Sequence, residues 1–310
     1  MLRNREARET IKKIVSGRIL FDEPMSRHAS MGVGGPVDLL VFPESIEELT
    51  GLVSYLMKEG VAFIPIGNCT NLIVRDGGFR GAMISLKGLQ KVELRDGGGG
   101  TVFISAEAGA LLSLIVDLSV RESLSGVEFC AGIPASVGGG VKMNAGAYGS
   151  ELKDIIKSVS LFNGKGEVEE VPGETLPFEY RNLDIPEGTT ITGTTLRLFR
   201  GQKGEIEKRV SEILAMRKGK HPLEYRNAGS VFKNLRGYPA GQIIDELGIK
   251  GTRVGDAQVS EKHGNFIVNL GHAKASDVIS LIEIVRQRVM EQRGITLETE
   301  VKIVGEDEEA

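Results

Sequence analysis

Residues 130–156 read CAGIPASVGGGVKMNAGAYGSELKDII, the most unusual stretch of the chain. Glycine, alanine and asparagine crowd it. An anionic diphosphate needs several backbone N–H groups converging on it. Glycines allow this by removing the steric wall and permitting nest-like backbone angles. The core of the stretch is Gly132-Ile133-Pro134-Ala135-Ser136-Val137-Gly138-Gly139, extended by Asn144-Ala145-Gly146-Ala147. No GKS or GKT follows it, and it is not a GxGxxG turn after a first strand, so the two commonest nucleotide folds are disfavoured.

Another glycine-bearing loop, the first in chain order, lies upstream at Gly67-Asn68-Cys69-Thr70-Asn71. It closes a β-α-β unit. That unit starts from the Gly-rich strand region 31–43 and turns at Pro43-Glu44. Ser45 with Glu48 predicts a capping box, and the helix it starts stops at Gly60 before the apolar strand 61–67. Upstream, residues 4–16 read as an amphipathic helix with Ile11, Ile14 and Val15 on one face.

Downstream of the first loop, residues 81–108 alternate strands and turns. The Asp96-Gly97-Gly98-Gly99-Gly100 run reads as a hairpin connection rather than a phosphate loop. A helix is expected over 110–124, strands over 156–171 and 190–200, and a charged helix over 203–218. A turn or strand follows near Ala228-Gly229-Ser230, then a helix from Pro239. Strands follow near Val254 and Asn265. A long helix after Ser276 carries an apolar stripe at Val278, Ile279, Ile282, Ile284 and Val285, and a last strand precedes an acidic tail expected to fray.

The composition is that of an ordinary soluble globular protein. Of 310 residues 26% are charged and 41% hydrophobic, which implies two or three domains and ample core. A net charge of -4 gives no general pull toward nucleic acid. Two cysteines without a CxxC, and four scattered histidines, give little support to a disulfide framework or a metal site. No apolar run approaches the roughly 18 residues that span a bilayer. The charged N-terminus has no signal-peptide core, so the expected location is the cytoplasm.

The order of motifs resembles the UDP-N-acetylenolpyruvoylglucosamine reductase family over about residues 24 to 305. It is carried by Ser30-Met31-Gly32-Val33-Gly34-Gly35-Pro36, by the two glycine loops and by Phe178-Glu179-Tyr180-Arg181. Ala228-Gly229-Ser230-Val231-Phe232, the Ala240–Asn269 region and the final Glu300-Val301 complete the set. The resemblance implies an α+β fold: a two-subdomain FAD-binding unit of the vanillyl-alcohol-oxidase or p-cresol-methylhydroxylase type, with a C-terminal α+β substrate-covering domain. The expected divisions are 1–90 and 91–202 for the FAD subdomains, 203–298 for the covering domain, and 299–310 for a strand and tail returning toward the active site. It implies FAD reduced by NADPH and then reoxidised by UDP-N-acetylglucosamine enolpyruvate, giving UDP-N-acetylmuramate for peptidoglycan synthesis. Family precedent implies a monomer, with no nucleic-acid or membrane partner.

By the same resemblance Ser230 is the proton donor, and Arg181 and Glu300 stabilise the enolate-like intermediate. FAD falls to Gly67, Asn68, Cys69, Thr70, Asn71, Gly132, Ile133, Pro134, Ser136, Val137, Gly138, Gly139, Asn144, Ala145, Gly146 and Ala147. Substrate falls to Tyr180, Asn234, Lys262 and His263. Taken alone, Ser230 reads as a turn residue, Arg181 as a surface or ion-pair residue, Glu300 as part of an acidic tail strand, and Lys262 and His263 as a solvated turn. His221 reads as a helix-end cap or surface residue.

Three positions depart from the family pattern. Cys69 and Ala135 stand where glycine is usual, and Leu183 where serine is usual. A strained φ would penalise Ala135. The short spacing from Arg181 to Ser230 resembles the family branch without an inserted capping loop. The alternatives are an FAD oxidase or dehydrogenase of the same fold acting on another substrate, and a non-catalytic flavin or sugar-nucleotide binding protein.

Overall fold

The structure is a computed structural model that describes Leu2 and residues 4–308. The last two residues of the acidic tail lie outside the described residues. Seven α-helices are found among the described residues: α1 (Arg5–Ile14), α2 (Ile46–Lys58), α3 (Leu112–Arg121), α4 (Val137–Lys142), α5 (Lys203–Lys220), α6 (Ala240–Glu246) and α7 (Ala275–Arg293). The chain divides into two compact units. One comprises Met1–Phe21, Leu39–Asn68 and Gly81–Met216, the other Asp22–Asp38, Cys69–Arg80 and Arg217–Ala310. Each has its own apolar core, and mixed helix and strand make the class α+β.

The first unit is built on an antiparallel sheet. Its strands run in the order Glu169–Pro172, Ile156–Phe162, Thr190–Arg200, Thr101–Glu107, Val92–Gly98, with Leu124–Ser125 pairing off Thr190–Arg200. The glycine run makes the hairpin between Val92–Gly98 and Thr101–Glu107. Gly98, Gly99 and Gly100 all have positive φ, where a side chain would be strained. A second sheet pairs Phe63–Ile66 in parallel with the Ala82–Ser85 part of strand Phe79–Ser85. Helix α2, which leads into Phe63–Ile66, starts on Ser45, whose Oγ accepts from the Glu48 N–H at 3.2 Å. The expected reciprocal half of the capping box is absent. The Glu48 carboxylate instead accepts from the N–H groups of Ser16 and Glu44, tying α2 to a segment 32 residues upstream.

The second unit has a four-stranded antiparallel sheet ordered Arg226–Ser230, Phe266–Asn269, Ala257–Val259, Arg253–Val254. Helix α7 packs on it through Val278, Leu281, Ile282, Val285 and Val289, all buried. The apolar stripe read from sequence is thus rotated. Ile279 and Ile284 are only partly buried, because burial tracks the 3.6-residue period from Val278 through Leu281 to Val289. The C-terminal strand Lys302–Val304 pairs in parallel with Leu72–Val74, directly after the first glycine loop. The Gly-rich region 31–43 becomes a strand only from Pro36 to Val41.

Candidate active site

In the first unit the two glycine loops meet. The Asn68 side-chain amide donates to the Pro134 carbonyl at 2.9 Å. A Cβ placed on Gly67 would collide with Ser136 Oγ and lie 3.2 Å from Ser136 Cβ. Glycine at 67 is therefore required by the second loop itself. Ser136 is buried and caps α4, accepting from the Gly139 N–H at 3.3 Å. This six-residue helix was not legible beforehand, since three of its residues are glycine, a poor helix former.

The first-turn amides of α4 are already engaged. Val137 N–H donates to Ala110 and Gly138 N–H to Ala108, at 2.7 and 2.8 Å. An anion would therefore meet the loop that precedes the helix. There Gly132 and Pro134 are exposed, Gly132 has a φ of +73°, and Ala135 is half-buried. Ala135 is not among the residues of positive φ, so alanine carries no strain there, contrary to the expectation. No carboxylate occurs from Gly132 to Ala147, and none at Gly67 or Asn68. Small residues, approachable backbone and absence of acid fit a dinucleotide diphosphate.

The strand pairs beyond α4 hold Arg181. Asn144 has a φ of +39° and is buried; its amide donates to the Glu151 carboxylate at 3.1 Å and to the Glu179 carbonyl at 3.0 Å. Arg181 itself has a φ of +59°. Its guanidinium donates to the Gly146 carbonyl at 2.9 Å, lies 3.9 Å from Glu151, and stands 4.9 Å from the ring of exposed Tyr180. Leu183, on the return strand Asn182–Leu183, is fully buried, and its carbonyl accepts from Lys142 Nζ at 2.6 Å. An apolar side chain at 183 thus packs in the core.

The second unit brings Ser230, Glu300 and the rest of the first loop together. Ser230 ends strand Arg226–Ser230, opposite Phe266, just after a register shift at which Gly229 has a φ of +73°. Such a bulge re-aims the following side chain. Glu300 N–H donates to the Val231 carbonyl at 2.7 Å, and the Asn71 amide donates to the Glu300 carbonyl at 3.0 Å. Glu300 does not lie on the last strand as expected; that strand begins at Lys302, and Thr299 makes an isolated bridge with Phe232. Asn265, buried, brackets Phe232 through both its backbone N–H and its carbonyl, which fixes the strand end carrying Ser230. Sequence reasoning did not single out Asn265 or Glu151, because the partners that place them at the site, Phe232 and Arg181, lie 33 and 30 residues away.

Cys69 has a φ of +52° and is buried, and neither it nor Cys130 forms a disulfide. A left-handed backbone favours glycine, so Cys69→Gly is expected to hold FAD as tightly as the parent or tighter, with folding stability within about 1 kcal/mol. Flavin titration checks this, and weaker binding would reveal a contact made by the thiol.

The proposed substrate residues of this unit have intramolecular partners. Asn234 accepts from the Ala240 N–H at 3.1 Å, and Lys262 Nζ donates to the Lys218 carbonyl at 2.9 Å, in the last turn of α5. His263 accepts at Nδ1 from the Asn265 N–H at 3.2 Å. Its ring lies against His221 and Phe266, with centroids 5.6 and 4.8 Å away. His221, read from sequence as a cap or surface residue, is instead packed into this ring cluster, 4.9 Å from Phe266.

Burial, aided by the Arg217 cation, pushes His221 down to about 4; burial, then the Lys250 charge, lowers His263. A folded pKa below the unfolded value near 6.5 means that the unfolded chain binds more protons between those two pH values. The contribution of His221 is therefore complete above pH 6.5 and is lost as pH falls toward 4. His221→Phe is expected to lose less stability than the parent between pH 7 and 4.5. Urea midpoints that fall in parallel for the two proteins would exclude this role.

Residues 37–172 match the family model of the FAD binding domain, and residues 221–304 match that of the UDP-N-acetylenolpyruvoylglucosamine reductase C-terminal domain. With the α+β fold and the joined loops, these matches define an FAD-binding oxidoreductase. The UDP-N-acetylenolpyruvoylglucosamine reductase of Syntrophus aciditrophicus (strain SB) is 54% identical over 300 residues, covering 97% of this chain and 96% of the relative. That of Caldanaerobacter subterraneus subsp. tengcongensis is 42% identical, covering 96% and 98%. The crystal structure of UDP-N-acetylenolpyruvylglucosamine reductase from Thermus caldophilus superposes with a TM-score of 0.77 at 37% identity, covering 93% of this chain and 98% of that one. The chain belongs to the UDP-N-acetylenolpyruvoylglucosamine reductase family. Among the described residues no helix is long and apolar enough to cross a membrane, and no cluster of His, Cys, Asp and Glu is suited to a metal.

Proposed function

We propose that this protein reduces the enolpyruvyl ether of UDP-N-acetylglucosamine enolpyruvate to the lactyl ether of UDP-N-acetylmuramate, with NADPH as electron donor. The segments Gly67–Asn71, Gly132–Gly139 and Asn144–Ala147 would hold FAD. When bound, FAD supplies a hydride acceptor and donor between the pyridine nucleotide and the vinyl carbon. The remaining chemistry falls to side chains. Addition of hydride leaves negative charge on the carbon beside the substrate carboxylate, stable only as an enolate-like species. Arg181 is suited to that carboxylate, because a planar guanidinium binds it bidentately, and Glu300 shares the polarising role. Ser230 Oγ then gives its proton to the carbon, completing the lactyl ether from one face.

The observation that carries this reading is the hydrogen-bonded ladder joining the Ser230 strand end, Glu300 and Asn71, in a chain of this family. A weak acid such as serine donates to carbon only when held tightly, and the bulge at Gly229 with the Asn265 bracket supplies that constraint. Anaerobic stopped-flow absorbance tests it. NADPH should bleach the flavin band, and the enolpyruvyl sugar nucleotide should restore it. Flavin that is reduced but not reoxidised by this substrate would assign the protein to a different flavin oxidoreductase activity. Failure to take up FAD would overturn the assignment of the loops.

A further inference from the structure

The arrangement around Arg181 contains a carboxylate that the proposed chemistry does not use. Glu151 follows the second glycine loop on the short strand Ser150–Glu151, which pairs with Gly146–Ala147. One of its oxygens faces Arg181 at 3.9 Å, and the other accepts from Asn144 at 3.1 Å and pairs with Lys153 at 2.9 Å. The side chains of Arg181 and Glu151 are only 16% and 21% exposed, so this pair is screened less than a surface one.

Asn144 is the hub. Its amide N–H groups reach Glu151 and the Glu179 carbonyl, while its carbonyl oxygen accepts from the Lys153 N–H at 3.1 Å. Only a neutral amide can donate to a carboxylate and a carbonyl while accepting from an N–H. Glu179 lies two residues before Arg181, and Gly146, which accepts from the guanidinium, lies two residues after Asn144. The loop and the Arg181 turn are thus clamped at the backbone and at the side chain.

We infer that Glu151, held by Asn144, is a positioning residue that aims the Arg181 guanidinium and couples it to the second glycine loop. The inference rests on the reading of Arg181 as the group that holds the substrate carboxylate. With Glu151 in place the guanidinium keeps one orientation. Without its charge the guanidinium keeps the Gly146 carbonyl and the Tyr180 ring but loses this anionic partner.

The test uses the full-length holoprotein with Glu151→Gln, and Lys153→Met as a control that removes the other cation on the same carboxylate. Glu151→Gln is expected to slow substrate-driven flavin reoxidation about tenfold or more, with the NADPH half-reaction within about twofold. The loss should be largely absent when Glu151→Gln is added to Arg181→Lys. Hydrogen exchange of the 180–183 amides should quicken in Glu151→Gln and stay unchanged in Lys153→Met. Additive losses with Arg181→Lys, together with unchanged exchange, would overturn the inference and reduce the contact to an ordinary ion pair. If the parent protein is not reoxidised by the sugar nucleotide, it is the functional reading that fails, and the exchange measurement still decides whether Glu151 orders the Arg181 turn.

Discussion

Ser230→Ala is expected to leave reduction of the flavin by NADPH within about twofold of the parent and to slow its reoxidation by the enolpyruvyl sugar nucleotide by about 10²–10⁴-fold, the usual contribution of a general acid. Only the second half-reaction consumes the proton. The substitution removes one oxygen from a half-buried side chain and leaves its backbone pairing with Phe266 intact. The positive φ belongs to Gly229 rather than to position 230, so alanine meets no strain there. Folding should change little, and the asymmetry between half-reactions becomes the diagnostic. Equal slowing of both would show that Ser230 supports the strand end and gives no proton. Stopped-flow traces of each half, recorded on one preparation, separate the two results.

Gly67→Ala is expected to have the second large effect, and on a different quantity. The new methyl group collides with Ser136 Oγ, and Ser136 is too buried to swing aside without uncapping α4. Overpacking of this kind costs about 1–3 kcal/mol. If it is relieved only by separating the loops, FAD affinity falls roughly 5- to 150-fold at about 1.4 kcal/mol per tenfold. Adding Ser136→Ala should recover part of the loss. It removes the clashing oxygen but leaves a close Cβ contact and an uncapped helix. Quenching of FAD fluorescence reads both variants. A Gly67→Ala protein that binds FAD as the parent does would show that the junction of the two loops does not seat the cofactor.

The half-reactions make these two variants complementary. Ser230 lies in the second unit and should matter only after the cofactor is loaded and reduced, whereas Gly67 lies in the first and should matter before any chemistry begins. A preparation of Ser230→Ala should therefore be fully yellow and reducible, and one of Gly67→Ala should lose its colour on dilution.

Local chemistry determined much of this protein by sequence alone. The hairpin at Gly98–Gly100, the stop of α2 before Gly60 and the positions of most helices follow from backbone preferences that act within a few residues. The candidate catalytic set was legible through the order of motifs, since Ser230, Arg181 and Glu300 taken singly read as ordinary turn, surface and tail residues.

The tertiary structure decided which groups answer one another. Glu48 leaves its expected capping partner for Ser16, a group 32 residues upstream that the fold brings beside the start of α2. α4 forms from a glycine-rich run because Ser136 caps it and Ala108 and Ala110 take its first amides. α7 turns a face containing Leu281 and Val289 inward, a choice made by the sheet it covers. Glu151 meets Arg181 across 30 residues of chain, through an asparagine whose side chain must be buried to reach both strands. Propensity is a property of neighbours along the chain. The partner of a buried polar group is set by packing between distant segments, and no local pattern encodes it.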